Sequence, residues 1–265
     1  MSADQPRQTP LTRTVAYLDV PRSLTPPIWR ELQPGWPPAP PRRHTSPDTS
    51  PAAPSRDVLV VPGFLATDTS TSTLTTALRA AGHRTHPAQL GNTNGCSERL
   101  ASRLVARVDE LAATTTGPIT IIGHSRGGQL AKVAAQRRPE LIDRLITLGS
   151  PLTDQWGMHL SLKLLIGSIS LAGRAGLDIG GCNVMGCPFG SCSTEFTRDL
   201  ARTLPSHIEF TSIYSRSDGI TQWRTCLHPA ARHVEATCSH IAMISHPAVR
   251  NEALRLLSQV NPTAA

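Results

Sequence analysis

The chain has 265 residues, of which 39% are hydrophobic, and a formal net charge of +7. That length accommodates one large α/β domain or two small ones, and no apolar run approaches the ~18 residues of a membrane-spanning helix. The positive charge does not point to nucleic acid: the basic residues are scattered, with no basic block or aromatic-interleaved stripe, and only Lys132 and Lys163 are lysines beside 24 arginines.

The first ten residues, "MSADQPRQTP", lack the basic start and apolar stretch of a secretory signal, so a cytoplasmic protein is expected. Residues 1–56 carry 13 of the 23 prolines. Proline removes backbone donors and blocks helix, which predicts an extended or partly disordered arm. A domain is expected over 57–265.

At Asp57 the composition changes. "DVLVVPGF" is a continuous apolar run closed by Pro-Gly, the pattern of a strand buried on both faces of a parallel sheet. "STLTTALRAAG" predicts a helix with a glycine at its end, and "HRTHPAQL" a short second strand. In "SERLASRLVARVDELAATT" the apolar residues Leu100, Leu104, Val108 and Leu111 recur at helical spacing, with Ser97 as the expected N-cap. "PITIIG" predicts a buried strand, and "RGGQLAKVAAQRRPE" a helix stopped by Pro139. "DRLITLGSP" and "IEFTSIYSRSDG" follow as strand and turn, then "HVEAT" as a short strand and "HPAVRNEALRLLSQV" as a closing helix. Strands alternating with helices imply βαβ units and a mostly parallel sheet. Residues 152–204 interrupt that alternation with an insertion too long for an ordinary loop. It contains the apolar "HLSLKLLIGSISLAG" and the Gly/Cys-rich "GLDIGGCNVMGCPFGSC".

The strand-to-helix junction reads "IIGHSRGG". A serine nucleophile in such an elbow takes a strained backbone conformation, so its neighbours two before and two after must be tiny. Here they are Gly123 and Gly127, and Gly128 lets the helix pack close. This makes Ser125 the candidate nucleophile rather than an idle serine in a glycine-rich turn. A serine needs a base within reach and an acid to orient that base. Asp218, just past a late strand, supplies the acid. His240 lies after the last short strand and is favoured as base, while His246, directly before Pro247 at a helix start, is the rival. Asp143, Asp154 and Asp178 are weaker acid candidates, and His124 is the variable residue of the elbow. Two backbone amides form an oxyanion hole: that of Arg126, after the serine, and that of Phe64, in the "VVPGF" turn.

The six cysteines fit no zinc spacing. Cys182, Cys187 and Cys192 recur every five residues, and Cys226 and Cys238 are the pair to suspect first should a disulfide form. The proposed chemistry requires neither metal nor organic cofactor.

The motifs "VLVVPGFLATD", "IIGHSRGG", "LITLGSP", "IYSRSDGITQW" and "SHIAMISHPAV", in this order from Asp57 to Leu257, resemble the α/β-hydrolase superfamily, in particular its bacterial lipase- and esterase-like members. The resemblance implies the α/β-hydrolase fold, with a mostly parallel sheet, helices on both faces and a cap insertion at about 152–204. It also implies a Ser125–Asp218–His240 triad with oxyanion amides at Phe64 and Arg126. Two departures stand out: His124 and Arg126 fill elbow positions where apolar residues are common, and "HPAV" places a second histidine near the site. The expected activity is hydrolysis of a small-molecule carboxylic ester with an apolar acyl group. Acyl transfer or thioester hydrolysis with the same triad is the alternative, and a non-catalytic binding protein of the same fold is a third reading.

Overall fold

The computed structural model describes residues 55–154, 156–160, 163–164, 167 and 191–259. The arm expected over 1–56 falls almost wholly outside them, as do Asp178, Cys182 and Cys187.

Six strands form one sheet: β1 (Asp57–Val61), β2 (Arg84–Pro87), β3 (Ile119–His124), β4 (Ile142–Leu148), β5 (Glu209–Tyr214) and β6 (Arg232–Glu235). Their spatial order is β2-β1-β3-β4-β5-β6, and every pairing is parallel. The central strands are apolar without alternation because both faces are covered. Leu59, Val61, Ile119, Ile121 and Leu145 contribute to one core cluster. Val58, Val60, Ile122, Ile146 and Leu148 contribute to the other.

The described helices are α1 (Ser72–Ala80), α2 (Ser97–Ala112), α3 (Arg126–Arg137), α4 (Ser191–Ala201) and α5 (Pro247–Ser258). Residues of α2, α3 and α4 enter the first cluster, and those of α1 and α5 enter the second. Within the 152–204 insertion, α4 is therefore part of a helical layer: Phe196 and Leu200, one turn apart, are buried in the core. The cap expectation is left to the residues before it, most of which lie outside the described ones.

One local expectation is corrected. Ser97 is the first residue of α2 rather than its cap, which is Cys96; the Ser97 hydroxyl instead accepts a hydrogen bond from Arg126 Nη2 at 2.9 Å. Cys226 and Cys238 are both buried and are not joined to each other by a disulfide. Burial, seconded by the Asp218 charge, pushes the Cys226 thiol upward, away from thiolate chemistry. Asp143 lies inside β4, where it holds the Arg56 guanidinium at 2.6 Å.

Candidate active site

Strand β3 ends at His124 and helix α3 begins at Arg126, leaving Ser125 between them with φ 54° and ψ −124°. A left-handed serine is strained and persists only where its surroundings force it. Its N–H donates to Leu148 O at 2.8 Å, and the close approach around it leaves no room for side chains. A Cβ on Gly123 would lie 2.5 Å from Gly128 Cα, one on Gly127 would strike the Val61 and Pro62 carbonyls, and one on Gly128 would strike the Ser150 hydroxyl.

The end of β4 brackets the site. Leu148 accepts from Ser125, while the next residue, Gly149, donates its N–H to Ile213 O of β5 at 2.8 Å. Gly149 has φ +58°, and a Cβ there would sit 3.2 Å from Asp218 Oδ2, His240 Nδ1 and Met243 Sδ alike. The same turn therefore holds the serine backbone on one side and faces the acid and base on the other. Sequence reading treats "LGSP" only as a turn; the glycine before a serine and a proline is the signal it carries.

His240 and Asp218 are joined by a 2.6 Å hydrogen bond from Nδ1 to Oδ2, and both side chains are almost fully buried. The other Asp218 oxygen accepts the backbone amides of Ile220 at 2.8 Å and Thr221 at 2.6 Å. Three donors fix the carboxylate, and through it the imidazole, with Nδ1 carrying the hydrogen. His246, the rival base, takes the N-cap position of α5. Asp154 accepts from the Trp156 amide in its own turn.

His124 does more than fill a variable position. Its Nε2 lies 3.0 Å from the His240 carbonyl oxygen, and because a carbonyl only accepts, Nε2 carries the hydrogen. The two rings are 4.9 Å apart, centre to centre. Burial, followed by the neighbouring His240 ring, pushes the His124 pKa down to about 3, so the side chain is a neutral donor at ordinary pH.

The turn after β1 packs on the elbow: a Cβ on Gly63 would lie 3.0 Å from His124 Nδ1 and 3.2 Å from Ser125 Cβ. Ala66 N–H donates to Gly63 O at 3.2 Å, closing a turn around Phe64 and the left-handed Leu65. Among the described residues, neither the Phe64 amide nor the Arg126 amide is taken up by a backbone carbonyl.

The Arg126 side chain is buried. It donates to Thr93 O at 2.9 Å, Gly95 O at 2.6 Å and Ser97 Oγ, and its guanidinium lies 5.7 Å from the centre of the Phe64 ring. Burial lowers its pKa to about 10, so it remains a cation at neutral pH. Among the described residues no cluster of His, Cys, Asp and Glu is arranged to hold a metal ion.

A family model for the alpha/beta hydrolase fold matches residues 61–184. A triacylglycerol lipase of Vibrio cholerae serotype O1 (strain ATCC 39315 / El Tor Inaba N16961) is 35% identical over 74 residues, a match that covers 28% of this chain and 23% of that lipase. Among solved structures, lipase B of Aspergillus fumigatus superposes with a TM-score of 0.56 at 13% identity, covering 79% of this chain and 54% of the lipase. An extracellular alpha/beta-hydrolase from a Paenibacillus species superposes with a TM-score of 0.53 at 14% identity, covering 77% of this chain and 98% of its own. The matched segment, the parallel sheet and these neighbours together show that the chain has the α/β-hydrolase fold.

Proposed function

We propose that the chain is a serine hydrolase of carboxylic esters, with Ser125, His240 and Asp218 as its triad. The observation that carries this reading is the buried 2.6 Å bond between His240 and Asp218, set on the same β4 turn that holds the left-handed Ser125. Ser125 Oγ attacks the ester carbonyl carbon as its proton passes to His240 Nε2. Asp218 keeps the imidazole in the tautomer with hydrogen on Nδ1 and stabilises the imidazolium that forms. The Phe64 and Arg126 amides donate to the tetrahedral oxyanion. Collapse breaks the bond to the alkoxide, which leaves with the proton from His240; water then attacks the acyl-enzyme by the same route and releases the acid.

An apolar acyl group is supported by the large apolar side chains left exposed next to these residues in sequence. Leu65 follows Phe64 within its turn and Ile241 follows His240, each 46% exposed. Trp156, Leu160 and Leu164 are exposed at the root of the insertion. The lipase likeness, although it covers only part of each chain, runs the same way.

A fluorophosphonate probe should label the wild-type chain and not Ser125→Ala; an unlabelled wild type would overturn the reading. A series of p-nitrophenyl esters of increasing chain length should show turnover rising with acyl length. His240→Ala should abolish that turnover, and its loss in His246→Ala instead would reassign the base.

A further inference from the structure

Beyond the triad, the loops that follow β5 and β6 border a second feature, a cavity of about 610 Å³ whose lining includes His159, Arg216, Trp223, Arg224 and Ser239. It adjoins the site, since Asp218 lies in its wall and Ser239 precedes His240. Ligands of open parallel α/β sheets bind at this edge.

Two guanidinium groups share one ring here. Arg216 Cζ lies 4.9 Å and Arg224 Cζ 4.5 Å from the Trp223 ring centre. Tyr214 stacks on the same indole at 5.8 Å, with the planes 20° apart. Stacking of this kind holds planar cations in place and leaves their N–H edges for a ligand. Among the described residues little neutralises them. Glu235 meets Arg216 at 3.3 Å across a largely exposed pair, a weak interaction in water, and it also accepts the Tyr214 hydroxyl at 3.2 Å. Among the described residues Arg224 has no carboxylate partner. Asp218, the one acid of the cavity wall among the described residues, is committed to His240, Ile220 and Thr221.

We infer that this cavity is a subsite for a carboxylate or phosphate group, held by Arg216 and Arg224 on the Trp223 platform. Guanidinium groups match both anions bidentately. If the anion belongs to the substrate, an assignment that rests on the hydrolase reading above, the subsite selects esters with an acidic end.

Calorimetric titration of sodium phosphate and of sodium succinate into the full chain at low ionic strength tests the subsite without turnover. Saturable binding is expected, weakened at least tenfold in Arg216→Ala/Arg224→Ala. Binding that is absent, or equal in the two proteins, overturns the inference. Phosphate that competes with mono-p-nitrophenyl succinate but not with p-nitrophenyl butyrate assigns the site to the acid end of a substrate. Phosphate that alters both reactions equally assigns it to a free anion. A chain that binds phosphate but cleaves no ester sinks the hydrolase reading alone, and one that cleaves esters but binds neither anion sinks the subsite alone.

Discussion

Arg126 and Thr93, 33 residues apart, tie the two halves of the proposed oxyanion site together. The Arg126 guanidinium donates to Thr93 O at 2.9 Å, while the Thr93 hydroxyl donates to Gly63 O and the Thr93 N–H donates to Ala66 O, either end of the turn that carries Phe64. One proposed oxyanion amide thus positions the other through its own side chain. Thr93 is fully buried, so nothing in water substitutes for its hydroxyl.

Arg126→Met should therefore cost both stability and rate. It leaves two carbonyls and a hydroxyl without their charged donor, at about 1–3 kcal/mol for each buried group left unpaired. Denaturant unfolding should show a loss of roughly 3 kcal/mol, smaller than the sum because the loop can relax. Ester turnover should fall at least tenfold in kcat with a smaller change in KM. Thr93→Val should lower kcat in the same direction, and the double variant should lose less than the two single effects combined. Fully additive effects would mean that the two residues act separately.

Gly149 offers a sharper separation of backbone strain from site geometry. Placing alanine at φ +58° costs about 1–2 kcal/mol. Its Cβ would also press on Asp218 Oδ2 and His240 Nδ1 at 3.2 Å. Gly82, at φ +89° with open space around its Cβ position, supplies the control. Gly149→Ala and Gly82→Ala should lose similar stability, read by denaturant midpoint. Only Gly149→Ala should lose turnover, by tenfold or more. Equal activities would remove Gly149 from the site.

Much of this arrangement is legible in the sequence, because a two-face-buried strand declares itself by an unbroken apolar run and an elbow by its glycines. "DVLVV" and "ITIIGH" form β1 and β3 where that pattern places them. The remainder depends on partners distant in sequence. Nothing local in "NTNGCSE" announces that Thr93, Gly95 and Ser97 receive Arg126, so Ser97 reads as a cap. In "SCSTEFTRDLA" only Phe196 and Leu200 mark a core-facing stripe, too short a pattern to separate α4 from the insertion around it. Lys132 reads as one of two lysines in an arginine-rich chain until its burial is seen.

Two histidines with depressed pKa values should dominate the acid limb of stability. His124 is held at about 3, chiefly by burial, and His228 at about 4, by burial and then by the Lys132 charge. Both fall below the ordinary 6.5, so the unfolded chain binds these protons first. Their contribution is complete above pH 6.5 and is lost as pH falls from there toward 4 and 3. The melting temperature should be level from pH 6.5 to about 8 and decline below 6.5. His124→Gln, which keeps an N–H for the His240 carbonyl, should flatten the decline. An unchanged slope in both His124→Gln and His228→Asn would assign the acid limb to other groups.

Lys132 should act on the opposite limb. It is fully buried in α3, and its ammonium donates to Leu200 O and to Arg202 O, the latter at 2.6 Å, at the end of α4. Burial lowers its pKa to about 8 from an ordinary 10.5. Below pH 8 the folded and unfolded chains both hold the proton, so this group adds no pH dependence. Between pH 8 and 10.5 the unfolded chain alone retains it, and this contribution to stability rises with pH across that window. Lys132→Met removes the rise but leaves the Leu200 and Arg202 carbonyls without their donor, at about 1–3 kcal/mol each. Unfolding followed from pH 7 to 10.5 should show the variant less stable at pH 7 and with a shallower slope above 8. A variant that matches the wild-type slope would show that the Lys132 proton is held equally in the folded and unfolded chains.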